Sequence, residues 1–135
     1  MIDNLDEKQL PEKRLVWLSL AWGWVFAVIY LSLTAINLPT VVEWQDKVGH
    51  VAMYGVPMWW FLQLYPKHRH WLIALGLFAL GAGLEFAQSF HPLRYMDYYD
   101  MLANGAGIAA GWLTLLTPFS RFFVAIECRW LATAN

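Results

Sequence analysis

Four long apolar stretches, separated by short polar links, organise the chain. No charged residue occurs from Val16 to Val42, and residues 15–36 are enough to cross a hydrocarbon core about 30 Å thick. A second stretch, 48–65, is interrupted by His50, and a third, 71–90, holds the single carboxylate Glu85 near its C-terminal end. The fourth, 101–119, carries no charge. Lipid offers backbone amides no partner, so each stretch is predicted to be helical. Beyond them, residues 121–131 place an apolar run between Arg121 and Arg129, the pattern of a short interfacial helix. The expectation is an all-α membrane protein with four transmembrane helices in a bundle. Residues 1–14 form an N-terminal arm, 15–119 the membrane domain and 120–135 an interfacial tail.

Composition supports this reading and removes others. Charged residues make up 14% of the 135 residues and hydrophobic residues 59%, against about 25% charged in an ordinary soluble domain. A net charge of −1 with no basic stripe argues against nucleic acid as a partner. Cys128 stands alone, which excludes a disulfide framework. The arm carries Asp3, Asp6, Glu7 and Glu12, unlike the basic start of a signal peptide, so the first span reads as an uncleaved anchor. Lys8, Lys13, Arg14, Lys67, Arg69, Arg121 and Arg129 fall on one side of such a bundle, Lys47 and Arg94 on the other. The positive-inside rule then places both termini in the cytoplasm. Trp17, Trp60, Trp71 and Trp130 fall near the inner interface and Trp44 near the outer one.

The polar residues converge on the outer end. Asp46, Lys47 and His50 open the second span, Glu85 and Gln88 close the third, and Arg94, Asp97, Asp100 and Asn104 lead into the fourth. Asp46, His50 and Tyr54 are four apart and stack on one helix face. Asp97, Asp100, Asn104, Gly107 and Gly111 step by three or four, so the polar mouth of the fourth span continues into a GxxxG seam, a motif that lets helices approach closely. Ala79 and Gly83 on the third span are the expected opposing surface, a pairing that draws Glu85 towards Asn104. Glu85 is disfavoured twice, by its depth and by the negative end of its helix dipole, and therefore calls for Lys47, His50, Arg94 or a cation as partner. Plainer roles compete: Asp46 and Asp100 as helix caps, Lys47 and Arg94 reaching for lipid phosphates, Tyr54 as core packing, and His68, His70 and His91 solvated in the links.

These motifs together resemble the VanZ-like family: Asp46-Lys47-x-x-His50-x-x-x-Tyr54, then Glu85-x-x-Gln88, then Arg94-x-x-Asp97-x-x-Asp100-x-x-x-Asn104-x-x-Gly107-x-x-x-Gly111. The resemblance covers about half of the chain, with Val51 where the family commonly has an aromatic. It implies a small bacterial inner-membrane protein of the cell envelope, in a family whose founding member is associated with glycopeptide resistance.

Three classes of function compete on this pattern. The first is an enzyme or binding protein acting on an envelope lipid or lipid-linked precursor. Here His50, Glu85, Asp97 and Asp100 supply acid–base chemistry, and Asp46, Lys47, Tyr54, Gln88, Arg94 and Asn104 bind the substrate. No metal ligand or cofactor is assigned, although His50 and the carboxylates are oxygen-rich enough for Mg2+ or Mn2+; nothing has the tight spacing of a zinc signature. The second class is an interaction module whose polar cluster is structural. The third, a small transporter, is disfavoured because the inner half of the spans lacks ionisable groups. The pattern leaves the oligomeric state open.

Overall fold

A computed structural model describes residues 10–34, 44–90 and 96–133. Among these, regular structure is entirely helical: α1 (Arg14–Leu33), α2 (Gln45–Leu64), α3 (His70–Gln88), α4 (Tyr98–Leu113) and α5 (Phe122–Thr133), with short 3-10 turns before α3 and between α4 and α5. The five helices match the predicted elements, with α2 and α4 each starting about three residues early. Two segments are long and apolar enough to cross a membrane, Arg14–Leu33 and Lys67–Gln88, or three if Tyr98–Leu116 and Pro118–Trp130 count as one bent span. Helix α2 falls short in composition, with Asp46, Lys47, His50 and Gln63 along it, and α4 in length, with 16 residues.

Helix α4 and the 3-10 turn after it stop short of the end of their apolar run because of Pro118. A proline forces its predecessor out of the helical region, and Thr117 is extended at φ −119° and ψ 163°. The chain turns there by 82°, and α5 folds back under the bundle. Phe123 is fully buried, stacked on Trp17 at 4.3 Å, with Trp59 and Trp60 against its other sides. Glu127 of α5 then reaches the start of α1. Its carboxylate accepts from the backbone N–H groups of Glu12 and Lys13 at 2.6 and 3.1 Å and from the Trp17 indole at 2.7 Å. No side chain of its own caps α1; the tail instead holds the two amides just before it and sets a carboxylate at the positive end of the helix. The tail is therefore a structural brace as well as a candidate surface helix.

Helix α2 packs against α1, α3 and α4. Its interior Pro57 cannot donate to the Met53 carbonyl, and the Trp24 indole of α1 does so instead, at 3.3 Å. A neighbouring side chain thus repairs the gap, as apolar surroundings require. The core runs through Tyr54, Met58, Leu62, Leu77 and Ile108, with a second cluster of Ala21, Val25, Phe61, Leu64 and Phe123. Outside it, Leu15, Phe26, Tyr30, Leu75, Phe86 and Leu102 are mostly exposed. An apolar surface of this extent is unsuited to water and suited to a bilayer.

The small-residue seam meets a different partner from the one expected. A Cβ on Gly107 would collide with the Val51 carbonyl, and one on Gly111 would lie 2.5 Å from the Gly55 oxygen. Both contacts are with α2. Gly83 has nothing near it, and it and Ala79 are exposed on α3. The closest approach in the bundle is therefore α2 against α4, made possible by Gly55, Gly107 and Gly111.

Candidate functional site

The polar residues at the start of α2 and α4 face each other across this glycine seam. Asp97 caps α4, its carboxylate accepting from the Tyr99 amide at 2.8 Å. Neither Asp46 nor Asp100 is the capping residue, because each helix begins earlier than its apolar run: Trp44 precedes α2 and Asp97 precedes α4. Asp100, one turn inside, turns towards α2 instead.

Lys47 is the hub of the outer part of the cluster. Its ammonium pairs with Asp100, with Asp97 at 2.7 Å and with Asp46 at 3.2 Å. An ammonium has three donors, and all three are taken by these aspartates. Partial burial works against its charge, and the hydrogen bonds to Asp100, Asp97 and Asp46 compensate for it. In turn the Lys47 hydrogen bond, aided by the Tyr99 amide, lowers the Asp97 pKa below the usual carboxylate value. Lys47 thus ties α2 to α4, and its charge is spent inside the protein.

Deeper in the bundle lies a second layer of three groups. Ligand-type atoms of His50, Glu85 and Asp100 all lie within 4.8 Å of one another. His50 Nδ1 donates to the Asn104 side-chain oxygen at 2.9 Å, and its Nε2 faces Asp100 Oδ2 at 3.5 Å. Asn104 is 2% exposed, and Gly81 gives it room: a Cβ there would stand 2.9 Å from the Asn104 amide nitrogen and 3.2 Å from the Tyr54 ring. Glu85, 3% exposed, accepts a long hydrogen bond of 3.5 Å from the Asp97 amide. His50 and Asp100 keep some exposure, so the layer is reached from the helix ends.

The structure therefore gathers His50, Glu85, Asp97, Asp100, Lys47, Asp46 and Asn104 at one end of the fold. Tyr54 borders this cluster next to Asn104, and Gln88 stands apart. Tyr54 is buried in the core one turn below His50, and Gln88 donates to the Ser32 carbonyl at the end of α1, at 2.6 Å. Arg94 and His91 lie outside the described residues. His68 is exposed, as expected for a link, but His70 is buried at the start of α3, its Nε2 against the Tyr65 carbonyl at 3.0 Å. It fills the gap where the chain turns between α2 and α3. Sequence reasoning did not single out Gly55 or Gly81, because a glycine becomes informative once its neighbour is known. It also missed Glu127, whose one clue was a lone acid within an apolar tail. No protein-family model, curated protein or solved structure matches the chain.

Proposed function

We propose that the chain is a VanZ-like, multi-pass protein of the bacterial inner membrane, with four helices spanning the bilayer and both termini cytoplasmic. The polar cluster then opens to the outer leaflet and binds, or acts on, the headgroup of an envelope lipid or lipid-linked precursor. The excess of Lys and Arg in the arm, the α2–α3 link and the tail supports the orientation. The observation that carries the site is the meeting of His50, Glu85 and Asp100 within 4.8 Å at one end of an apolar bundle. An imidazole oriented by Asn104 beside two carboxylates is a set able to move protons on a bound headgroup. Asp97 and Lys47 position Asp100, and the sequence position of Arg94 assigns it to an anionic headgroup.

Native mass spectrometry of the protein released from its own membrane tests this reading. Wild-type protein should retain a phosphate-bearing lipid that Glu85→Gln, His50→Ala and Asp100→Asn lose. The same lipid complement in all four refutes it. The three aspartates around Lys47 favour a second reading, in which the cluster only fixes α2 to α4. Under that reading the three variants lower the melting temperature and leave the lipid complement unchanged.

A further inference from the structure

We infer that His50, Glu85 and Asp100 form a binding site for a divalent cation that accepts mixed nitrogen and oxygen ligands, of the Zn2+ or Mn2+ class. Imidazole suits zinc and its neighbours and carboxylate suits manganese, so one nitrogen and two carboxylates point between them and away from Mg2+. The donor atoms span at most 4.8 Å, and His50 Nε2 and Asp100 Oδ2 are 3.5 Å apart. Two ligands bound at about 2.1 Å to one tetrahedral ion stand roughly 3.5 Å apart. Glu85, which offers an oxygen within 4.8 Å of both, completes the set by closing on the ion.

Two further observations point to a cation independently of that spacing. The first is the state of Glu85. It is almost wholly buried, and among the described residues its hydrogen bond is the 3.5 Å contact from the Asp97 amide. No ion pair joins it to Lys47, whose three donors go to Asp46, Asp97 and Asp100. A buried carboxylate facing a second carboxylate is costly without a positive charge between them. The second is the orientation of His50. With Nδ1 held against the Asn104 oxygen, Nε2 is aimed at the Asp100 oxygen, so the ring nitrogen and the carboxylate that a cation would join already face each other. Metal-bound histidines are characteristically held through the other ring nitrogen in this way, and metal-bound carboxylates by a further donor. Lys47 is that donor for Asp100, on Oδ1, leaving Oδ2 towards the site. At the lipid site proposed above, such an ion would meet a phosphate oxygen of the headgroup; its binding does not depend on that lipid.

Calorimetric titration of Zn2+ into the full chain in detergent, stripped of lipid and chelator-treated, tests the inference, with Mn2+ electron paramagnetic resonance on the same sample. Wild-type protein should take up one ion saturably. Glu85→Gln and His50→Ala should abolish binding, while Asn104→Ala, which removes only the orienting contact, should weaken it about 10- to 100-fold. Gly83→Ala, on an exposed face of α3 with nothing within 4 Å of its added methyl, should bind as wild type does. Far-UV circular dichroism checks each fold, and the isosteric Glu85→Gln carries the test should His50→Ala unfold. Absence of saturable binding to wild-type protein overturns the inference, as does wild-type affinity in folded Glu85→Gln. Because no lipid is present, failure here leaves the lipid reading standing, and the converse also holds.

Discussion

Adding a single methyl group at the α2–α4 seam should damage both the fold and the site. An ideal Cβ at Gly111 would lie 2.5 Å from the Gly55 oxygen, 2.8 Å from Met58 Cβ and 3.0 Å from the Trp59 amide nitrogen. The first contact is about an ångström short of ordinary van der Waals separation. Two of the three atoms are backbone, so no side-chain rotation relieves the clash and the helices must part. Overpacking of this kind costs about 1–3 kcal/mol, which at roughly 4 °C per kcal/mol lowers Tm by about 4–12 °C. Gly107→Ala should act alike, since its Cβ meets the Val51 backbone. Gly83→Ala is the control: nothing lies within 4 Å of its Cβ, and on an exposed helix face alanine is neutral or better by up to about 1 kcal/mol. Thermal unfolding of the three variants in one detergent, followed by circular dichroism, compares them directly. The same parting lengthens the His50–Asn104 hydrogen bond and the Lys47 pairings, which bridge these two helices, so metal and lipid retention should fall with Tm. If Gly107→Ala and Gly111→Ala melt together with Gly83→Ala, the close α2–α4 approach is wrong.

Other predictions concern the tail, the proline repair and the ion pairs. Glu127→Ala removes the acceptor for the Glu12 and Lys13 amides just before α1 and for the Trp17 indole and should cost about 1–3 kcal/mol; an unchanged melting curve would show that α5 does not brace α1. Trp24→Phe strips the Met53 carbonyl of the donor that stands in for Pro57 and should cost about 1 kcal/mol, and the double variant with Pro57→Ala should recover most of it. The Asp97 pKa is depressed in the folded protein, first by the Lys47 hydrogen bond. Its contribution is therefore fully present above the unfolded value of about 3.9 and is lost as pH falls below it. A Tm-against-pH profile should drop more steeply in that acid range for wild type than for Asp97→Asn, and parallel profiles would contradict the pairing.

The helical elements and their membrane character were legible in the sequence because they follow from local quantities. Apolar runs near 20 residues and a basic-flanked tail need no knowledge of neighbours, and each produced a helix close to its expected place. The convergence of His50, Glu85, Asp97, Asp100 and Lys47 was legible too, since alternating helix direction brings the end of one apolar run beside the start of the next. Tertiary structure decided everything that depends on azimuth. Periodicity places Gly107 and Gly111 on one face of α4 but leaves open which helix that face meets; backbone approach at Val51 and Gly55 made it α2. Lys47 satisfies three aspartates instead of Glu85 for the same reason, because rotation about a helix axis is set by packing on all sides at once. Glu127 found the bare end of α1 only because Pro118 turned the chain beneath it, a contact across more than a hundred residues that no local pattern encodes.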